Sequence, residues 1–173
     1  MKNIVKFFAT AAIIIAGTNA SFAQATATAS ASATIITPIS ISKTVDMNFG
    51  NVAVSATIAG TTVLAPAGTR TTGGAGGVTL PATTGTVTAA SFTVSGQGSY
   101  TYAITLPTSA TITGPASATM TVNAFTSSPS ATGLLSAGGT QTLTVGATLN
   151  VAAAQAAGTY TNATGVPVTV NYN

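Results

Sequence analysis

Thr140-Gln141-Thr142-Leu143-Thr144-Val145-Gly146-Ala147-Thr148-Leu149-Asn150-Val151 alternates without a break. Leu143, Val145, Ala147, Leu149 and Val151 fall on one parity, and polar residues fill most of the other. Side chains on a strand point to opposite faces with period two, so this stretch reads as a strand with one buried face. The period recurs upstream. Tyr100, Tyr102, Ile104 and Leu106 share one face of Tyr100–Leu106, and Thr86–Val94 is similarly marked. It recurs downstream in Val166, Val168, Val170 and Tyr172, within an expected strand over Tyr160–Tyr172. Its plainest form is near the start: odd positions from Ala25 to Ala33 are alanine, and even positions from Thr26 to Thr34 are threonine or serine. The odd parity then carries Ile35, Ile39, Ile41, Val45, Met47 and Phe49.

Shorter strands are expected at Val52–Val54, Thr61–Ala65, Gly77–Leu80, Ala110–Thr113 and Ala118–Val122. Ile35–Lys43 is expected as the first strong strand, with Pro38 marking an edge or a switch between sheets. Glycine and proline clusters separate these runs: 73–77, 96–98, 114–115, 128–130 and 138–139. With 36 threonines and 15 serines among 173 residues, the composition is that of a β-protein. Helical periodicity is absent past the leader; the alanine-rich run 151–157 gives at most one turn before Gly158. Many short strands at this spacing predict an all-β fold, an immunoglobulin-like antiparallel β-sandwich.

The chain opens with Lys2 and Lys6, a short apolar run through Ile13–Ile15, and a small-residue site at Ser21-Phe22-Ala23. This pattern predicts a secretory signal peptide over 1–23, cut after Ala23. Residues 24–34 are then an Ala/Thr/Ser-rich extension, read either as a loose arm or as a strand meant for a sheet. Residues 35–173 form the sandwich domain. No later run is apolar and long enough to span a membrane as a helix.

Past residue 23 the charged side chains are Lys43, Asp46 and Arg70. That cannot build the basic stripe of a nucleic-acid binder. Arg70 reads as a solvated loop charge or as a contact for an acidic partner. Cysteine is absent, so an exported domain must be held by its core or by assembly. His, Glu and Trp are absent too. Without a group titrating near neutrality, acid–base and serine-nucleophile chemistry have no supply, and an enzyme is not expected. Transition-metal ligands are missing, and no cofactor is expected. Asp46-Met47-Asn48 offers too few oxygens for calcium. Gly73–Gly77 lacks the Lys-Ser/Thr of a phosphate loop. Asn162-Ala163-Thr164 fits a glycosylation acceptor, a triplet that chance supplies often in a threonine-rich chain.

Three pieces carry a resemblance: Ala33–Gly50 (ATIITPISISKTVDMNFG), Pro66-Ala67-Gly68-Thr69-Arg70, and Val145–Val151 continuing through Ala157-Gly158-Thr159-Tyr160 to Asn173. Together they resemble the bacterial family called domain of unknown function 4402. Asn48-Phe49-Gly50, Ala157–Tyr160 and the alternating last strand ending at Tyr172 are also similar to chaperone–usher pilin subunits of the archaic, spore-coat-U-like group. That likeness implies a sandwich short of one strand, filled by the N-terminal extension of the next subunit. It departs in two ways: this chain has no cysteine, and Ala25–Ala33 offers only methyls. The residues expected to exchange or accept a strand are Ile35, Ile39, Ile41, Val166, Val168, Val170 and Tyr172. Each row also reads as an ordinary core strand of its own domain.

The expectation is therefore a secreted bacterial protein of the periplasm-to-surface route, a fimbrial subunit assembling by strand exchange. Its partners would be copies of itself, related subunits and a periplasmic chaperone. The alternative is a monomeric surface module binding glycan or ice, motivated by pairs such as Thr119/Thr121, Thr142/Thr144 and Thr159/Thr161.

Overall fold

The computed structural model describes residues 24–173. The expected signal peptide, 1–23, lies outside the described residues. Residues 24–34 form no regular secondary structure and are exposed. The sandwich occupies Ile35–Asn173. Its strands are β1 (Ser40–Val45), β2 (Ala53–Val54), β3 (Gly60–Leu64), β4 (Arg70–Gly73), β5 (Val78–Thr79) and β6 (Ala90–Ser95). They continue as β7 (Thr101–Thr105), β8 (Ser109–Thr113), β9 (Thr119–Ser128), β10 (Thr132–Leu134), β11 (Thr140–Val151) and β12 (Thr169–Tyr172). One short 3-10 turn, Pro115–Ser117, is the helical content among the described residues. Every pairing is antiparallel. The fold is the all-β, immunoglobulin-like sandwich that the alternation predicts.

β11 is the spine. Its first half pairs with β6 and its second half with β3, while β9 runs along the opposite edge. β1 extends the sheet beyond β6, β4 beyond β3, and β8 beyond β9. A smaller sheet of order β10-β7-β12 and a β2–β5 ribbon complete the strands. The partner of β11 changes at Gly146, which is buried. A Cβ there would collide with the Leu64 carbonyl and the Ala65–Pro66 backbone, so this passage admits only glycine. Beside it, Ala124 and Phe125 together face Ala147, and Ala124 has φ of 48°. This bulge lets β9 bend with the spine.

The core forms two clusters, both fed by β11. Leu143 and Val145 pack with Ala90, Val94, Tyr102, Leu135 and Val170. Ala147, Leu149 and Val151 pack with Val78 and Val122. The Tyr102 ring lies directly over Gly133, where a side chain would overlap it. Its hydroxyl donates to Gln141 Oε1 at 2.7 Å, which also accepts from the Leu134 amide at 3.0 Å. One buried phenol thus ties the small sheet to the spine. Burial raises the Tyr102 pKa above its ordinary value near 10. One core hydroxyl, Thr62 Oγ1, is buried without a partner among the described residues.

The observed strands depart from the expected ones where proline and glycine intervene. Pairing of β1 starts at Ser40, after Pro38, which has no N–H to donate. The expected strand Tyr160–Tyr172 shrinks to Thr169–Tyr172. Asn162 Oδ1 accepts the Thr164 amide in a local turn, Gly165 has φ of 73°, and Pro167 interrupts the ladder. β9 runs six residues past Val122 because the bulge carries it on. β4 and β10 lie outside the expected strands.

Candidate strand-accepting side

β1 ends the large sheet and β12 ends the small one, so each presents an edge with no strand partner among the described residues. The two edges approach each other on one side of the sandwich. An unpaired edge exposes a row of backbone donors and acceptors, a template for another strand. Between these edges the core is incompletely covered. Ile39 and Ile41 from the β1 side, and Val168 and Tyr172 from the β12 side, pack on the first core cluster and are only partly buried. Ile104 and Leu106 do the same. Val170 alone of this set is buried, packed in the first core cluster with Tyr102, Leu143 and Val145.

The expected exchange residues therefore divide. Ile39, Ile41, Val168, Val170 and Tyr172 come together around one cluster. Val166 is half-buried outside it. Ile35 is 96% exposed and touches no core. Ile41 pairs with Val94 of the same chain, so its strand belongs to its own domain. Among the bulky residues proposed to anchor an exchanged strand, Ile35 is the one left uncommitted.

Tyr172 organises one end of this side. Its hydroxyl donates to the Thr37 carbonyl at 2.7 Å and accepts from the Gln97 amide at 2.6 Å. Gln97 Oε1 in turn accepts from the Thr37 amide at 3.3 Å. The segment leading into β1 is thereby fastened to β12 and to the β6–β7 turn. The exposed Tyr100 ring meets Tyr172 edge-on, with centroids 5.9 Å apart at 67°. Gln97 and Thr37 were not legible as partners. Gly96-Gln97-Gly98 signals only a turn, and Tyr172 lies 75 residues from Gln97 in sequence.

Arg70 is neither a free loop charge nor aimed at a partner. It donates to the Phe49, Asn51 and Thr84 carbonyls, at 2.5, 2.6 and 3.3 Å. It clasps the loops around β2 to the edge strand β4. Asp46 meets Lys43 on the surface, and Asn48 Oδ1 accepts the Gly50 amide, so both potential calcium oxygens have local partners.

The family model described as domain of unknown function (DUF4402) matches residues 39–172. This chain belongs to the DUF4402 family. No curated protein matches it, and no solved structure does. The DUF4402 span takes in both edges, from the segment entering β1 to Tyr172 at the end of β12. The extension 24–34 and Ile35 precede the matched span. No helix among the described residues is long and apolar enough to cross a membrane.

Proposed function

We propose that this chain is a secreted, surface-located structural subunit that assembles by strand exchange into a fimbrium-like polymer. One observation carries the reading: two unpaired edges flank a half-covered apolar strip, in a chain whose exposed N-terminal extension alternates with strand period. Main-chain hydrogen bonds to an edge supply affinity, and alternate side chains filling the strip supply register. The donor is Ala25–Ile36, because Ile39 and Ile41 are committed to their own core. Each alanine methyl contributes only about 0.8 kcal/mol, against roughly 1.5–3 kcal/mol for a fully buried isoleucine. Ile35 is thus the anchor. A periplasmic chaperone would cover the same edges before assembly. Nothing in this mechanism calls for a catalytic group, a metal or a cofactor.

The test is assembly of the mature chain, Gln24–Asn173, at high concentration. Fibres or a ladder of oligomers should form, and Ile35→Asp should prevent them without changing the circular dichroism. A charge entering an apolar strip without a partner is costly. A free peptide spanning Gln24–Ile36 should compete for the edge. A mature chain that stays monomeric and ignores the peptide removes the proposal.

A further inference from the structure

The outward face of the large sheet is a second feature, separate from the open side. Pairing in register sets Thr111, Thr121, Asn150 and Thr61 in one row across β8, β9, β11 and β3. Thr113 and Thr119 stand opposite each other in the neighbouring row. Thr121, Asn150 and Thr61, together with Thr119 and Gln155, line an open depression of about 510 Å³. That volume falls within the range of small-molecule sites.

The two amides in it are held. Asn150 Nδ2 donates to the Thr121 carbonyl at 3.1 Å and to Asn123 Oδ1 at 3.0 Å. Gln155 Nε2 donates to the Thr119 carbonyl at 3.3 Å and to the Tyr160 hydroxyl at 2.9 Å. The Tyr160 hydroxyl is itself fixed, donating to the Ala156 carbonyl at 2.7 Å. Both amide nitrogens are spent inside the protein, so Asn150 Oδ1 and Gln155 Oε1 remain as fixed acceptors. The hydroxyls of Thr61, Thr119 and Thr121 make no hydrogen bond among the described residues, and each can donate or accept.

We propose that this depression binds an uncharged oligosaccharide. Its polar groups are acceptors and hydroxyls, complementary to a ligand whose own hydroxyls both donate and accept. Charge excludes the other classes. Lys43 is paired with Asp46, Arg70 is spent on three carbonyls, and none of the three lines the depression. An anion meets no cation there, and a cation no carboxylate. The row offers one polar side chain for each strand spacing of about 4.8 Å, a ladder along which an extended chain of sugar rings can lie. The polar groups invoked here, Thr61, Thr119, Thr121, Asn150 and Gln155, lie outside β1 and β12, so the site stays open whether the chain is monomeric or joined through those edges.

The experiment titrates the mature chain with neutral oligosaccharides: cellohexaose, chitohexaose and maltohexaose. An anionic oligogalacturonate serves as the charged comparator, and amide resonances report the location. At least one neutral probe should bind at millimolar concentration or better, with shifts centred on Thr61, Thr121, Asn150 and Gln155. Thr121→Ala, an exposed hydroxyl removed with its strand intact, should weaken binding roughly threefold to tenfold, the worth of one neutral hydrogen bond. Gln155→Ala should weaken it similarly, with unchanged circular dichroism for both variants. Absence of binding by all neutral probes overturns the proposal. So does preference for the anionic comparator, a response centred elsewhere, indifference to both substitutions, or inhibition of ice growth without saccharide binding.

Discussion

The spine strand β11 and the open-side strands β1 and β12 carry the same alternating pattern and end in different environments. On β11, Leu143, Val145, Ala147, Leu149 and Val151 are all buried. On the open side, Ile39, Ile41, Val168 and Tyr172 pack on the first core cluster and are only partly buried. The side-chain pattern specifies which face looks inward. It does not specify whether a neighbouring strand arrives to cover the edge, because that neighbour is remote in sequence or belongs to another molecule.

The strongest way to sharpen this contrast is a pair of truncations. Leu143→Ala removes a fully buried side chain between two sheets and should cost about 2–5 kcal/mol. Ile41→Ala, at the open side, should cost under about 2 kcal/mol in the isolated domain, since solvent already reaches it. Urea unfolding of both variants measures the difference. Equal costs would mean that the open side is covered in solution. Strand addition should raise the Ile41→Ala cost towards that of Leu143→Ala.

Next in size is the clasp on the far flank of the spine. Arg70→Ala releases three backbone carbonyls from a charged donor and should destabilise by about 2 kcal/mol, discounted for its partial exposure. Arg70→Lys should recover only part of the loss, because an ammonium cannot reproduce the planar fork. A full rescue by lysine, read from the midpoint of thermal unfolding, would contradict the clasp.

Two tyrosines offer a finer comparison. Tyr102→Phe deletes the tie between β7 and the spine, and Tyr172→Phe deletes the tie between β12 and Thr37. Each hydrogen bond contributes about 1 kcal/mol, but the consequences differ. Tyr102 has a raised pKa from burial, so its neutral form is favoured in the folded state. That stability is fully present below about pH 10 and is lost as pH climbs through the folded value. Tyr102→Phe should flatten the alkaline loss of stability. Tyr172→Phe should instead speed amide exchange around Thr37 and Gln97, with the core unchanged.

The legibility of the molecule follows the same division. β11 was readable to the residue because every second position from Leu143 to Val151 is apolar and no proline or glycine cluster interrupts it. β4 was not, since Arg70-Thr71-Thr72-Gly73 has no apolar alternation and pairs with β3 through a turn at Ala65–Thr69. The Tyr160–Tyr172 expectation overran because period two in Val166, Val168 and Val170 continues across Pro167, while hydrogen bonding does not. On the open side the alternation marked Ile39, Ile41, Val168, Val170 and Tyr172, which reach the core, but equally Ile35 and Val166, which do not. The Tyr172–Thr37–Gln97 fastening joins both ends of the domain to a glycine turn and leaves no periodic trace. The outward row at Asn150 was hidden for the same reason: its members come from four strands, and only pairing brings them together.

The smallest effect concerns the charge on the open edge. Lys43 lies on β1 and pairs with Asp46 across an exposed gap, the two side chains 57% and 79% exposed. A surface pair of this kind contributes under about 1 kcal/mol, so Lys43→Ala should leave stability nearly unchanged. Its weight falls on association instead. A lysine on an edge strand discourages uninvited strands, because docking there must desolvate an ammonium. Lys43→Ala should therefore increase self-association of the mature chain at constant stability, read by light scattering beside urea unfolding. The increase should be greatest at low salt, where the charge of the parent chain is least screened. Unchanged scattering would mean that β1 is not an accessible edge, and the division between spine and open side would have to be redrawn at β12 alone.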